Sequence, residues 1–277
     1  MKCPICSGIC IDENSYAFSL NLGNSKTIET NVHRCRGCGV HFRDVDYSSE
    51  EIQSHFDVAC YTSQKHEKLY EEWRQQYFLY LMTEILRELR SPHRKLLDIG
   101  CSYGHMMKIF KENGEFDVCG IEIHKDLRAR LADKGYNVFK SIKEISGITF
   151  SVISLIDTLF YFQQPLDLLI DVYKLLDDDG VLLIRVRNTA WIANLCCRLG
   201  ITVPSVCMRD AKYSFTYRSL EYLLDQAGFV ISKVICAERG KSMPLGLAWL
   251  FYRFTELISK IGIARITPGL LITSRKK

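Results

Sequence analysis

Four cysteines near the N-terminus of this 277-residue chain stand at the spacing of metal ligands. Cys3 and Cys6 form one Cys-x-x-Cys pair, Cys35 and Cys38 form a second, and a glycine close to each pair permits a tight turn. Both sulfurs of such a turn can reach one ion while backbone N–H groups hydrogen-bond to them. Four thiolates close a tetrahedral site and leave no position for substrate or water. We therefore expect a structural zinc ion, or another thiophilic metal, and no catalytic role for these cysteines.

A single Cys-x-x-Cys pair could instead be a redox pair, but two pairs with matching glycines favour metal. Cys10 and His33 are close enough in sequence to substitute as ligands, and we rank them below the paired cysteines. The segment between the two pairs is predicted to be a short hairpin. Because about 45 residues bury little apolar surface, the metal would supply the missing folding free energy. Residues 1–48 are thus predicted to form a zinc-ribbon-like unit, called the knob below.

A second motif lies between a predicted strand and a predicted helix, and reads Leu-Leu-Asp-Ile-Gly-Cys-Ser-Tyr-Gly from residue 96 to residue 104. Gly100 and Gly104 allow the backbone to turn sharply and to approach a ligand closely. A dinucleotide site would have Gly-x-Gly-x-x-Gly to seat a pyrophosphate, whereas here Ser102 occupies the middle position. Asp98 before the first glycine would repel a phosphate but can pair with an ammonium group. The simpler alternative for Asp98 is a turn or helix-capping acid.

A second acid, Glu122, ends the next predicted strand about 20 residues after Gly100, where a carboxylate can accept both hydroxyls of an adenosine ribose. Taken alone, Glu122 could equally be an exposed loop acid. An acid facing an ammonium group, a glycine turn and an acid facing a ribose describe S-adenosylmethionine better than they describe NAD.

The elements that must position these residues follow from hydrophobic periodicity. Apolar residues recur at helical spacing over residues 65–90, which predicts an amphipathic helical bridge. Beyond it, nearly continuous apolar strands alternate with helices, which indicates a mostly parallel sheet covered on both faces. The predicted strands are 95–99, 116–121, 136–139, 150–155, 181–186, 230–235 and 270–274, and predicted helices follow residue 104 and residue 124 and span 165–176 and 217–227.

Residues 96–271 resemble a class I S-adenosylmethionine-dependent methyltransferase. The resemblance rests on the glycine loop, on Glu122, on a fourth strand that ends at Asp157 and on the late helix-turn-strand stretch 215–229. It implies an α/β fold with a Rossmann-like, seven-stranded, mostly parallel sheet. It also implies S-adenosylmethionine as cofactor, with the binding residues Asp98, Gly100, Ser102, Gly104, Glu122, Ile123 and Asp157. The predicted units are the knob at 1–48, a helical linker at 49–91 and the methyltransferase domain at 92–277.

The chain departs from this family's pattern at three positions. Where the family often has a histidine after strand four, this chain has Phe160, Tyr161 and Phe162. An acid near the adenine is absent around residues 139–141, and Arg187-Asn188 stands where a Pro-Asn pair is common. Tyr161 is our candidate for the catalytic residue nearest the acceptor, and an aromatic wall of the pocket is the equally weighted alternative.

Cysteine knuckles before such a domain recur in a subgroup associated with glycan and secondary-metabolite biosynthesis. We therefore expect methylation of a small molecule or glycan precursor, with an apolar insertion at about 189–212 covering the substrate. The alternatives are a ribosomal-RNA base methyltransferase whose knob binds RNA, and a non-catalytic cofactor-binding zinc protein. The formal net charge of +4 and the long spacing between the cysteine pairs disfavour nucleic acid.

The bulk composition suggests a globular protein of a reducing compartment. Hydrophobic residues make up 47% and charged residues 25% of the chain, and several of the 12 cysteines lie in apolar segments. The first residues lack the apolar core of a signal peptide, and no uninterrupted apolar run reaches the ~18 residues of a membrane span. The segment 245–263, broken by charges, is predicted to be an amphipathic or core helix, with interfacial membrane contact the less favoured option. We expect a cytoplasmic location.

Overall fold

The computed structural model describes residues 1–8, 16–21, 27–43, 51, 64–203, 207–208, 211–237, 257 and 269–277. Cys10, Pro204 and nearly all of the predicted helix at 245–263 lie outside these described residues. Within them, no helix combines the length and the apolar character that a membrane crossing requires.

The N-terminal unit is a small antiparallel sheet. β1 (Tyr16–Asn21) and β2 (Thr27–Arg34) form a hairpin, as predicted for the segment between the cysteine pairs. β3 (His41–Arg43) pairs with the other edge of β2. A fourth strand comes from much later in the chain: β9 (Tyr213–Ser214) pairs with β3. Backbone hydrogen bonds therefore join the knob to a segment that lies about 170 residues later in the chain.

A long helix, α1 (Gln64–Glu88), links the knob to the main domain. In its C-terminal half the predicted apolar stripe is buried, with Tyr77, Leu81 and Ile85 showing no exposed surface. The packing of this stripe against α2 and the main sheet anchors the helix.

The main domain is a seven-stranded sheet in the order β10-β11-β8-β7-β4-β5-β6. Only β11 runs antiparallel to its neighbours. The expected Rossmann-like, mostly parallel architecture is confirmed. The strands are β4 (Lys95–Ile99), β5 (Asp117–Ile121), β6 (Asn137–Phe139), β7 (Phe150–Ile156), β8 (Leu176–Arg187), β10 (Phe229–Cys236) and β11 (Gly269–Lys276).

Helices connect these strands close to the predicted positions. They are α2 (His105–Gly114), α3 (Lys125–Asp133), α4 (Pro165–Leu175), α5 (Ala190–Leu199) and α6 (Tyr217–Gln226), with short 3-10 turns at Ile142–Glu144 and Leu159–Tyr161. α5 forms the first part of the predicted insertion.

Both faces of the sheet are buried. Adjacent residues of β4 point to opposite faces, and Leu96 and Leu97 enter two different apolar clusters with no exposed surface. Such double burial is why the strands are apolar at nearly every position. The consequence for function is geometric, because the carboxyl ends of β4, β5, β7 and β8 meet at one edge.

Candidate functional site

The turn after β4 depends on its glycines. Gly100 has φ +80°, and its N–H donates to the Ile121 carbonyl at 2.7 Å. A Cβ at Gly100 would lie 2.4 Å from Thr158 Oγ1, and one at Gly104 (φ +77°) would lie 2.6 Å from a methyl carbon of Leu131. Only glycine fits either position without displacing a neighbour. The two glycines therefore let the backbone of this turn pack closely against the residues beside it.

Asp98, the penultimate residue of β4, is buried at 4% exposure. Its Oδ1 accepts a hydrogen bond from Ser154 Oγ on β7 at 2.8 Å. Burial raises the pKa of this carboxyl to about 7, the nearby Glu122 charge adds to the rise and the Ser154 hydrogen bond opposes it. A cation placed beside Asp98 would stabilise its ionised form.

Glu122 directly follows β5 and is held by two backbone N–H groups. Ser102 N–H donates to its Oε2 at 2.9 Å, and His124 N–H donates to its Oε1 at 2.8 Å. Burial raises the pKa of Glu122, and these two hydrogen bonds oppose the rise. Each carboxylate oxygen keeps a second lone pair, so the fixed carboxylate can still accept from two ligand hydroxyls. The carbonyl of the neighbouring Ile123 accepts from Arg128.

Asp157 lies at the end of β7 in a left-handed backbone conformation, φ +57°. The nearest Nη of Arg74 on α1 is 3.1 Å from its carboxylate, and Arg185 on β8 forms a second ion pair with it. Strained backbone of this kind is commonly found at functional sites. The sequence analysis proposed Asp157 as a site residue but gave no sign of either arginine, because nothing in their spacing links them to it.

Tyr161 ends the 3-10 turn that follows β7. It is half-buried, and its ring centroid lies 4.7 Å from that of Phe160. The Arg187 guanidinium lies 4.4 Å from the centroid of the Phe160 ring. Lys212 N–H donates to the Phe160 carbonyl at 3.0 Å, so the end of the insertion packs directly on this turn.

The four predicted metal ligands converge. All Sγ atoms of Cys3, Cys6, Cys35 and Cys38 lie within 4.8 Å of one another, with 3.8 Å between Cys3 and Cys38 and 3.5 Å between Cys6 and Cys35. A tetrahedral zinc site with Zn–S bonds of about 2.3 Å has S···S separations of about 3.8 Å. The cluster therefore has the dimensions of a four-thiolate site. His33 instead packs its ring against Phe42.

The structure thus separates the predicted residues into three places. The glycine loop, Asp98, Glu122 and Ile123 gather at the ends of β4 and β5. Asp157 and Tyr161 lie beside them at the end of β7, and the cysteines form the knob. Two polar residues escaped the sequence interpretation: Ser154, which lies inside an apolar strand, and Thr216, whose capping box with Ser219 was a readable signal.

A family model described as "Methyltransferase domain" matches residues 70–234. The chain belongs to this methyltransferase family. The expected class I S-adenosylmethionine-dependent methyltransferase is thereby confirmed in family and in fold. No curated protein matches the chain by sequence.

Solved structures share the fold at low sequence identity. A S-adenosylmethionine-dependent methyltransferase from Clostridium acetobutylicum ATCC 824 aligns with a TM-score of 0.52 and 11% identity, over 78% of this chain and 99% of that one. Magnesium protoporphyrin IX methyltransferase from Synechocystis PCC 6803, with bound SAH, gives 0.55 and 12%, over 83% and 100%. The plantazolicin methyltransferase BpumL, in complex with a monoazolic desmethylPZN analog and SAH, gives 0.55 and 19%, over 83% and 93%.

Proposed function

We propose that this methyltransferase transfers a methyl group from S-adenosylmethionine to a small-molecule or glycan-precursor acceptor. The observation that carries the proposal is the cover over the end of β7. The insertion after β8 packs onto the Tyr161 turn through Lys212, and the Tyr213 hydroxyl donates to the Gln163 carbonyl at 3.0 Å. An edge covered by the protein's own chain suits a small acceptor better than a polymer lying across an open surface.

The donor would lie across the ends of β4 and β5. Asp98, desolvated and without a cationic partner among its described contacts, would face the ammonium group, and Glu122 would accept the ribose hydroxyls. The backbone of Gly100, Ser102 and Gly104 would line the donor's methionine part. In this proposal Ile123 and Asp157 complete the binding set.

Bound S-adenosylmethionine supplies a methyl group already activated by its sulfonium charge. The protein then has to hold the acceptor in line with that methyl and exclude water, since alignment contributes much of the rate of such a transfer. Tyr161 is our candidate for the residue that contacts the acceptor. Its phenol can orient an acceptor hydroxyl or amine by hydrogen bonding.

In the knob, Cys3, Cys6, Cys35 and Cys38 would bind one structural zinc ion. The donor set supports this, because four converging thiolates are typical of closed zinc sites. No disulfide joins the described cysteines, and Cys101, Cys119 and Cys207 lie buried in apolar clusters away from the metal ligands, which supports a reducing compartment such as the cytoplasm.

Calorimetry with S-adenosylhomocysteine tests the donor site. We expect binding by the wild-type protein and at least a tenfold loss in Asp98→Ala, because the ammonium group would lose its only proposed anionic partner. The matched control is Asp126→Ala, an exposed acid on α3. Absence of binding by the wild type would overturn the donor assignment.

The acceptor class can be tested separately with methyl-labelled S-adenosylmethionine. Label is expected in the low-mass fraction of a cell extract, and it should be lost with Tyr161→Ala. Label in the RNA fraction instead would contradict the small-molecule proposal.

A further inference from the structure

Backbone hydrogen bonds join the knob to the segment of the chain that packs on the Tyr161 turn. β3 of the knob pairs antiparallel with β9, matching His41 with Ser214 and Phe42 with Tyr213. A ladder of this kind fixes the register between two segments, because a slip would exchange their buried and exposed faces. The chain just before the late helix α6 is therefore held by the knob.

Arg43, the last residue of β3, strengthens this connection. Its side chain is almost fully buried, at 1% exposure, and its Nε donates to the Ala211 carbonyl at 3.1 Å. Its backbone N–H donates to the Lys212 carbonyl at 3.0 Å. A buried guanidinium is tolerated only where its donors have acceptors, so this contact holds residues 211 and 212 firmly.

Lys212 links the segment held by Arg43 to the 3-10 turn that contains Tyr161. Its N–H donates to the Phe160 carbonyl at 3.0 Å, and the adjacent Tyr213 hydroxyl binds the Gln163 carbonyl. Both sides of Tyr161 are thus held by residues that the knob itself holds. The path from Arg43 to Phe160 contains only two hydrogen-bonded steps.

Two more contacts join the knob to the same side of the domain. Thr216 Oγ1 donates to the carbonyl of Cys38 at 2.9 Å, and His41 Nε2 lies 3.0 Å from Asn194 Oδ1 on α5. The N–H hydrogen bonds described for the glycine loop, residues 100–104, go to Ile121, to the Glu122 carboxylate and within the loop, and its contact with Thr158 at Gly100 is one of packing.

We propose that the metal-bound knob is part of the acceptor side of the active site, with Arg43 as the positioning residue that holds the Tyr161 turn. The inference rests on the proposed function for placing the acceptor at Tyr161. Loss of the knob's contacts then loosens the acceptor side and leaves donor binding intact. The knob accordingly determines acceptor geometry in addition to stabilising the fold.

Hydrogen exchange measured by mass spectrometry on the full-length, zinc-loaded protein tests this. Arg43→Met removes the guanidinium donors at similar length. We expect exchange in peptides covering 158–163 and 211–214 to accelerate about tenfold, because a lost buried hydrogen bond raises the population of local opening. Peptides covering 98–104 should exchange as in the wild type, and affinity for S-adenosylhomocysteine should change less than about threefold.

Two further variants separate positioning from general loss of structure. Arg43→Lys keeps a donor able to reach the Ala211 carbonyl and should restore most of the protection, whereas equal loss in both variants would contradict the proposed link. Arg36→Gln removes an exposed arginine from the same knob and should leave 158–163 unchanged. Should Arg43→Met fail to fold, zinc removal from the wild type by a chelator is expected to accelerate exchange in residues 1–43 together with 158–163 and 211–214, and to leave 98–104 protected.

Acceleration confined to residues 1–43 would overturn the inference. That result is distinguishable from failure of the proposed function, which would appear as a wild-type protein that does not bind S-adenosylhomocysteine.

Discussion

Asp98 and Glu122 are both buried carboxyls, yet they differ in the number of hydrogen-bond donors that stabilise their charge. Two backbone N–H donors fix the Glu122 carboxylate, which in the proposed complex would accept the ribose hydroxyls without reorienting. Asp98 has one hydroxyl donor and a pKa of about 7, so burial disfavours its charge until a cation arrives. The difference makes Asp98 the residue whose ionisation should report donor binding.

The affinity for S-adenosylhomocysteine is predicted to depend on pH through Asp98. Because the pKa of Asp98 in the unliganded protein is about 7 and a bound ammonium group favours the carboxylate, affinity should fall as pH decreases below 7, by up to about tenfold per pH unit. Above pH 7 this group adds no further dependence. Calorimetry in buffers of different ionisation enthalpy should also detect proton release on binding near pH 6.

The same raised pKa has a consequence for the unliganded fold. The folded state binds the Asp98 proton more tightly than the unfolded chain does, so this group's contribution to stability decreases as pH rises from about 4 to about 7. Asp98→Asn should remove both effects, and a variant with unchanged pH dependence of affinity would contradict the assignment.

At the scale of elements, the turn from β4 to α2 must leave the backbone accessible. Gly100→Ala would place a methyl group 2.4 Å from Thr158 Oγ1 at a φ of +80°. We expect at least a tenfold loss of S-adenosylhomocysteine affinity, because the turn must shift to relieve the contact. The matched control is Gly147→Ala, a glycine with φ +69° and open space around it, which should lose stability and keep its affinity.

Helix α6 begins with a capping box that also contacts the knob. Thr216 Oγ1 accepts from Ser219 N–H at 3.1 Å and donates to the Cys38 carbonyl. Thr216→Val should lower the free energy of unfolding by about 1–2 kcal/mol through loss of the cap, as measured by urea denaturation. Thr149→Val, at an exposed threonine before β7, should stay within about 0.5 kcal/mol of the wild type.

At the scale of the whole molecule, the proposed zinc site would let a small sheet fold against a much larger domain. Its two Cys-x-x-Cys turns are closed by backbone hydrogen bonds, from Cys3 N–H to the Gly8 carbonyl and from Cys35 N–H to the Val40 carbonyl. Four thiolates this close together would repel one another without a cation. Metal and knob should therefore be lost together.

Metal analysis of the purified protein should return close to one zinc per chain. Cys35→Ser should abolish zinc binding and lower the thermal midpoint, because metal binding contributes folding free energy. Cys196→Ser, at a half-buried cysteine of α5 outside the cluster, should retain the metal. A wild-type knob that stays folded without metal would contradict the structural role.

Periodicity and motif spacing in the sequence determined the alternation of strands and helices, the glycine turn, and the grouping of the four cysteines. These features could be read because they are local: a buried parallel strand must be apolar throughout, and a turn with positive φ needs glycine. The predicted strand 95–99 coincides with β4, and other strand ends differ by a few residues, as for β8, which begins at Leu176.

Only the tertiary structure decided which distant residues meet. The ion pairs of Asp157 with Arg74 and Arg185, the bond from Ser154 to Asp98 and the pairing of β3 with β9 join segments far apart in the chain. No sequence period encodes such contacts, because they depend on the order of strands in the sheet and on the docking of the knob. For that reason the sequence predicted the glycine loop with its two acids, whereas the connection from the cysteine cluster to the Tyr161 turn required the folded molecule.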